Sequence, residues 1–293
     1  MPLRNPTFLQ KFSFSFLFSV SISLFCVTFL ADKVILSAII VFGQAHFLIS
    51  YIYTYKAKKV DSVYLTTLAT LVFVVIGMLC FFILLHRNFQ PWLTLFTAVI
   101  FVLHYLNDEL KIQGSRTLDY ALAILIFSCV LSYSAAFVSK LFPAAGHAPL
   151  ILCLLSLTCF ILFAYYILRH GRTEKIFLSI FLFGNVVIPL LITFSEHISA
   201  QQLLGFIVLF HYTRWYIHYF QKFSGKSLIT YWDIVLGSHV LILLLFFLFI
   251  TMPQATTLLF IFFSPIFFYG WTIIHILLSI RKSDYTILQR YEN

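Results

Sequence analysis

Six of the chain's ten histidines sit inside long apolar runs: His46, His104, His211, His218, His239 and His275. Arg214 joins them within LLGFIVLFHYTRWYIHYFQKFSGK, residues 203–226. A cation or an imidazole at bilayer depth costs several kcal/mol unless something compensates, so such groups generally face the protein interior. There a neutral imidazole can bind a transition metal, face a haem or carry a proton.

Local spacing narrows the roles. His104 and Asp108 are four apart and share one helical face. A carboxylate so placed can orient an imidazole whose other nitrogen binds a metal. Asp108 can equally sit at the wet inner end of its helix beside Lys111, and Glu109 reads as that kind of interfacial group. Gly43 and Gln44 beside His46 predict a close helix contact with hydrogen bonding, a setting in which a lone imidazole is as often satisfied by a neighbour as it is a ligand. His211 and His218 lie seven apart, about 10 Å along a helix axis, so they do not share one ion unless the helix is distorted. His218 reads as a support behind the ligands or as an interfacial residue, and His239 lies at a depth from which it could join. Arg214 could meet a polar substrate end or pair with Asp108 or Asp233; pairing is the reading adopted. His86, His147, His170 and His197 fall in loops or at helix ends, where solvent or headgroups satisfy them.

The elements that must position these residues follow from composition. Hydrophobic residues make up 61% of the 293 and charged residues 10%, and apolar runs recur at lengths that span a bilayer. Spans are expected near 12–30, 34–55, 63–85, 92–110, 118–139, 150–168, 176–194, 203–221, 228–250 and 258–280. Short connections leave no room for a soluble domain. The expectation is one all-α, polytopic transmembrane bundle over residues 1–293. In FLFGNVVIPLLITF, Asn185 and Pro189 predict a kinked helix with a satisfied polar group, and Pro265 predicts a bend in the last span.

With the N-terminus inside, fifteen of the nineteen Lys and Arg residues fall on the inner side. The outer connections hold Lys33, Arg87 and Lys140. This asymmetry predicts ten helices with both termini cytoplasmic, in a multi-pass protein of a bacterial inner membrane. The net charge of +9 then reports topology and contact with anionic lipid. Charges dispersed in short loops offer no groove for nucleic acid. No small-x-small site follows the first apolar run, so it is expected to stay as a helix. The five cysteines lie in spans without CxxC spacing and are expected to be buried packing residues.

Depth then links the histidines. His46, His104, His211 and His275 all lie on helices running from outside to inside. They precede Lys56, Lys111, Lys222 and Arg281 by ten, seven, eleven and six residues. At 1.5 Å per residue the four imidazoles fall about 9 to 17 Å above the cytoplasmic flank, whereas random placement would scatter them over roughly 30 Å. Imidazoles in one layer point to a metal, a haem or a proton path.

The motifs GQAHFLIS, VLHYLNDE, LFHYTRWYIH and WTIIHILLS follow one another at 58, 107 and 64 residues. In order and spacing this resembles the integral-membrane Brp/Blh-type β-carotene dioxygenases that make retinal. His104 with Asp108 matches that family's second His-x3-Asp box in full. Ser50 stands where the first box has Asp, and Trp215 where the third has its second His. The resemblance covers four short motifs over most of the chain. It implies a non-haem Fe(II) held by His46, His104 and His211, with His218 or His275 supplying a fourth nitrogen and Asp108, Arg214 and Trp215 behind the ligands. It further implies a long apolar, carotenoid-like substrate entering from the bilayer past Tyr212, Tyr216, Tyr269 and Trp271, although aromatics in such a chain are most often lipid-facing or packing residues. A haem-binding or proton-conducting protein and a transporter stay open as alternatives. No HxxxH or HxxHH pair supports a histidine-box desaturase.

Overall fold

In lipid every backbone N–H and C=O must be satisfied internally, and a single apolar segment achieves this only as a helix. The computed structural model describes residues 6–56, 62–85, 89–112, 120–170, 181, 183–222, 226–252 and 257–288, and every regular element among them is helical. In chain order these are α1 (Pro6–Phe29), α2 (Asp32–Lys56), α3 (Ser62–Leu85), α4 (Gln90–Ile112), α5 (Tyr120–Leu141) and α6 (Ala148–His170). A π-turn (Phe183–Val187) runs into α7 (Ile188–Phe194). Then come α8 (Ala200–Lys222), α9 (Lys226–Thr251), α10 (Thr257–Phe263) and α11 (Pro265–Leu288). The span expected at 258–280 is therefore divided at Ser264, directly before Pro265.

Among the described residues, four stretches are long and apolar enough to cross a membrane: Asp32–Tyr53, Ala121–Leu141, Ala148–Arg169 and Ile229–Thr251. Only 22% of the third and 17% of the fourth is buried inside the protein, and the apolar faces so exposed mark a membrane protein. The first helix shows the same inversion. Its Ser15, Ser19 and Ser23, one turn apart, are buried, while Phe18, Phe25 and Phe29 point outward. Small polar residues facing neighbours and large apolar ones facing out is how helices pack in lipid. Arg4, Lys58, Lys59, Arg87, Arg116, Arg172, Lys175 and Arg290, which carry much of the expected charge asymmetry, lie outside the described residues. Of the cysteines, Cys129 and Cys153 are buried as expected, but Cys80 is exposed; it lies on the outer, apolar face of α3.

The chain divides into two compact units, one of residues 1–32 and 98–214, the other of 33–97 and 215–293. In the first, α5 packs on α6 and α7. Ser128 and Ser156 clasp α5 to α6, each hydroxyl donating to the other residue's carbonyl at 2.9 and 2.8 Å. In the second, α11 packs on α3 and α10, with Tyr64, Ile274 and Leu278 at the core. A Cβ on Gly270 would stand 2.5 Å from a Leu79 methyl, so α11 and α3 meet at a glycine.

Both proline features of the sequence are resolved by one principle. Proline offers no N–H to the carbonyl four residues earlier and clashes with it. Pro189 so deprives the Asn185 carbonyl, and the helix opens into the π-turn there. The Ser132 hydroxyl of α5, which also lies 2.8 Å from the Cys129 carbonyl, approaches the Asn185 carbonyl at 3.0 Å. Pro265 deprives Ile261, whose carbonyl accepts the Trp271 indole N–H at 2.9 Å. The adjacent Phe262 carbonyl accepts from Gln44 at 2.7 Å, the interhelical hydrogen bond that an amide beside His46 led one to expect.

Candidate metal centre

Two helices of the first unit build the site. Along α4, Phe101, His104, Tyr105 and Asp108 fall on one face by their spacing of three and four. The other helix, α8, is started by a capping box. Ser199 accepts the Gln202 N–H on its hydroxyl at 3.1 Å, and Gln202 accepts the Ser199 N–H on its side chain at 2.8 Å, satisfying two donors that a helix start leaves open. The Gln202 amide also donates to Val27 at the end of α1, at 2.8 Å. Three turns further on, α8 presents His211 and then Arg214.

His104, Asp108 and His211 converge, with one potential ligand atom from each lying within 4.8 Å of the others. His104 Nε2 and Asp108 Oδ2 are 3.4 Å apart. Two donors about 2.1 Å from a common ion stand about 3.4 Å apart at a tetrahedral angle and at most about 4.2 Å apart. The three donors can close on an ion with side-chain adjustments of up to about 1.4 Å in the widest pair. Both imidazoles are buried, at 4% and 3% exposure, while Asp108 keeps one side open at 25%. The His104 and His211 rings meet edge to face at 5.4 Å, and Phe101 meets His211 in the same way at 5.4 Å. Two nitrogens and a carboxylate oxygen form a donor set suited to iron(II), with zinc as its commonest competitor.

A neutralised ion pair adjoins this set. Arg214 Nε and Nη2 donate to the Glu109 carboxylate at 3.1 and 2.9 Å, and Nη1 donates to the Ser15 hydroxyl of α1. Glu109 is 1% exposed and Arg214 3%. The interfacial reading of Glu109 is thus overturned, because Arg214 holds its charge inside the protein. Pairing of Arg214 stands as expected, and the partner the structure shows is Glu109. Asp233 is exposed.

Beside the site, a polar hub forms at Asn185. Its side-chain oxygen accepts the hydroxyls of Tyr105 at 2.6 Å and Tyr133 at 3.2 Å, and its amide nitrogen donates to Phe181 at 3.1 Å. Sequence reasoning saw a satisfied asparagine beside a proline but not its partners. The tyrosines that fill it come from α4 and α5, 80 and 52 residues away.

The second unit holds the remaining candidates. His46 and His275 are both buried and their rings meet edge to face at 5.2 Å. Trp215 packs edge-on against His46 at 4.6 Å, and Phe47 stacks on His275 at 4.6 Å. Tyr216 meets His239 Nε2 at 3.2 Å, and His239 Nδ1 meets the Val235 carbonyl at 2.7 Å. Since a carbonyl only accepts, Nδ1 carries the proton and Nε2 accepts from the tyrosine. His218 is half-buried on α8 and Tyr269 is buried on α11. Trp271 stacks on Phe262 at 5.1 Å besides tying down Ile261. Tyr212 belongs to the first unit, buried beside His211 at 5.8 Å between rings.

No family model matches the chain, and neither a curated protein nor a solved structure shows significant similarity to it.

Proposed function

We propose that this chain is a ten-span protein of a bacterial inner membrane, both termini cytoplasmic, that uses a non-haem iron centre to oxidise a long apolar substrate such as a carotenoid. The observation that carries the reading is the meeting of His104, Asp108 and His211 within 4.8 Å. Two imidazoles and one carboxylate with positions left open is the donor set of non-haem iron(II) oxygenases. The resemblance of the four histidine motifs to the Brp/Blh-type dioxygenases favours the same chemistry and supplies the substrate class.

Bound iron(II) would supply the activation of dioxygen; the chain's own residues hold and orient. His104 and His211 would donate imidazole nitrogens, and Asp108 a carboxylate that offsets part of the ion's charge. Glu109 and Arg214 cancel each other, so they leave the net charge beside the centre unchanged. Phe101, Tyr105 and Tyr212 around His211 keep water away and present apolar surface. His46 and His275 belong to the other unit, and the proposed centre is built without them.

The test is metal analysis of the detergent-purified chain. Iron near one equivalent, lost in His104→Ala and in His211→Ala, is expected. A Soret band would assign the histidines to haem instead, and tightly held zinc with no iron would redirect the chemistry to hydrolysis. Expression in carotene-producing cells should then release a shortened carotenoid aldehyde, and its absence from an iron-loaded protein would remove the substrate assignment.

A further inference from the structure

We propose that Tyr105 is a positioning residue for His211, tethered through its hydroxyl to Asn185 in the π-turn; the inference rests on the metal-centre reading above. The His211 ring is flanked by two aromatics of α4 that stand one turn apart. Phe101 meets it edge-on at 5.4 Å and 86°, and Tyr105 at 6.0 Å and 80°. Phe101 is held by packing. Tyr105 is held at both ends, by its backbone in α4 and by a 2.6 Å hydrogen bond from its hydroxyl to Asn185 Oδ1.

The anchor itself has little freedom. Asn185 donates its amide to Phe181 at 3.1 Å, and its backbone carbonyl, which Pro189 deprives of the N–H four residues on, accepts from Ser132 at 3.0 Å. The second acceptor position of Oδ1 takes Tyr133 at 3.2 Å. Every polar atom that could let the side chain turn is engaged, so Oδ1 is a fixed post. Tyr105 is fully buried and its ring also meets Phe210, the residue before His211, at 5.5 Å. A π-turn of this kind recurs at functional sites because the widened helix re-aims the side chain it carries. Here that side chain reaches the ligand helix through one tyrosine. Groups that orient metal ligands from behind typically change affinity by about 10–100-fold when removed.

Two tyrosines on one acceptor supply an internal control. Both donate to Asn185 Oδ1, but the ring contacts with His211 include Tyr105 and not Tyr133. Metal-stripped full-length protein in detergent is titrated with Co2+ and read by its visible d–d absorption. Tyr105→Phe is expected to weaken binding by about tenfold or more and to shift the band. Tyr133→Phe is expected to keep the wild-type affinity and band. Equal effects of the two, which is how a merely structural hub would behave, or no effect of Tyr105→Phe, overturn the tether. Should Tyr105→Phe fail to fold, Asn185→Ser, which draws the acceptor away from both phenols, carries the same expectation. Wild-type protein that takes up no Co2+ would overturn the metal centre and the tether with it. Normal wild-type uptake with an unaltered Tyr105→Phe removes the tether alone.

Discussion

Glu109 and Arg214 show how one residue's role is decided by what faces it. Two charges taken out of water repay their desolvation only when geometry is good and the remaining donors are used. Here two guanidinium nitrogens go to the carboxylate and a third to Ser15. Glu109→Gln removes the carboxylate that faces the buried Arg214 guanidinium, and should destabilise the protein by about 3–5 kcal/mol, read as a drop in the unfolding midpoint in detergent. Replacing both partners together, Glu109→Leu with Arg214→Met, should recover most of that loss. Asp108, one position earlier and a quarter exposed, should behave differently. Asp108→Asn is expected to lower metal affinity by at least about tenfold while leaving the unfolding midpoint nearly unchanged, a split measurable by metal titration and thermal melting of the same sample.

At the scale of elements, the two prolines each strip a donor from a carbonyl one turn earlier, and each carbonyl is met by a side chain from beyond its own turn. A buried carbonyl without a partner costs about 1–3 kcal/mol. Ser132→Ala should therefore destabilise the wild type by an amount in that range. It should cost less in a Pro189→Ala background, where the helix can supply its own N–H, and a double-mutant cycle should show coupling on the order of 1 kcal/mol. The close approaches differ in the same way. A Cβ at Gly184 would stand 2.6 Å from the Phe16 ring, and one at Gly270 2.5 Å from a Leu79 methyl. The Phe16 ring is buried and braced by Phe210 at 5.3 Å, whereas the Leu79 methyl is the end of a flexible side chain. Gly184→Ala should cost about 1–3 kcal/mol and Gly270→Ala distinctly less, by unfolding midpoint.

At the scale of the molecule, the outward-facing phenylalanines and leucines and the inward-facing serines place apolar surface where a soluble protein would place charge. The lysines and arginines of the connections would set the orientation of such a bundle. Reporters fused within residues 113–119, within 223–225 and at the C-terminus should register on the cytoplasmic side, and those within 86–88 and 253–256 on the opposite side. Sites on either side of a single expected span, 86–88 with 113–119 or 223–225 with 253–256, registering together would show that the span between them does not cross.

Much of this was legible along the chain. Apolar runs bounded by charged or turn residues predicted seven of the described helices to within about three residues at each end, because in an apolar medium the helix is the only state that pairs a segment's own backbone. His104 and Asp108 were legible as a pair because four residues make about one turn. The depth argument put His46, His104, His211 and His275 in one layer; the structure brings His104 to His211 and His46 to His275. Glu109 was misread because depth along a helix says nothing about which way a side chain faces, and 108 and 109 point about 100° apart.

By itself, then, the sequence determined the helices, the buried histidines and the proline breaks, all of which depend on neighbours within a turn or on burial in an apolar medium. Only the tertiary structure decided that His211 meets His104 and Asp108, that Glu109 holds Arg214, and that Asn185 gathers Tyr105 and Tyr133. Those partners are tens to more than a hundred residues apart, and only the packing of one helix face on another brings them within reach of each other.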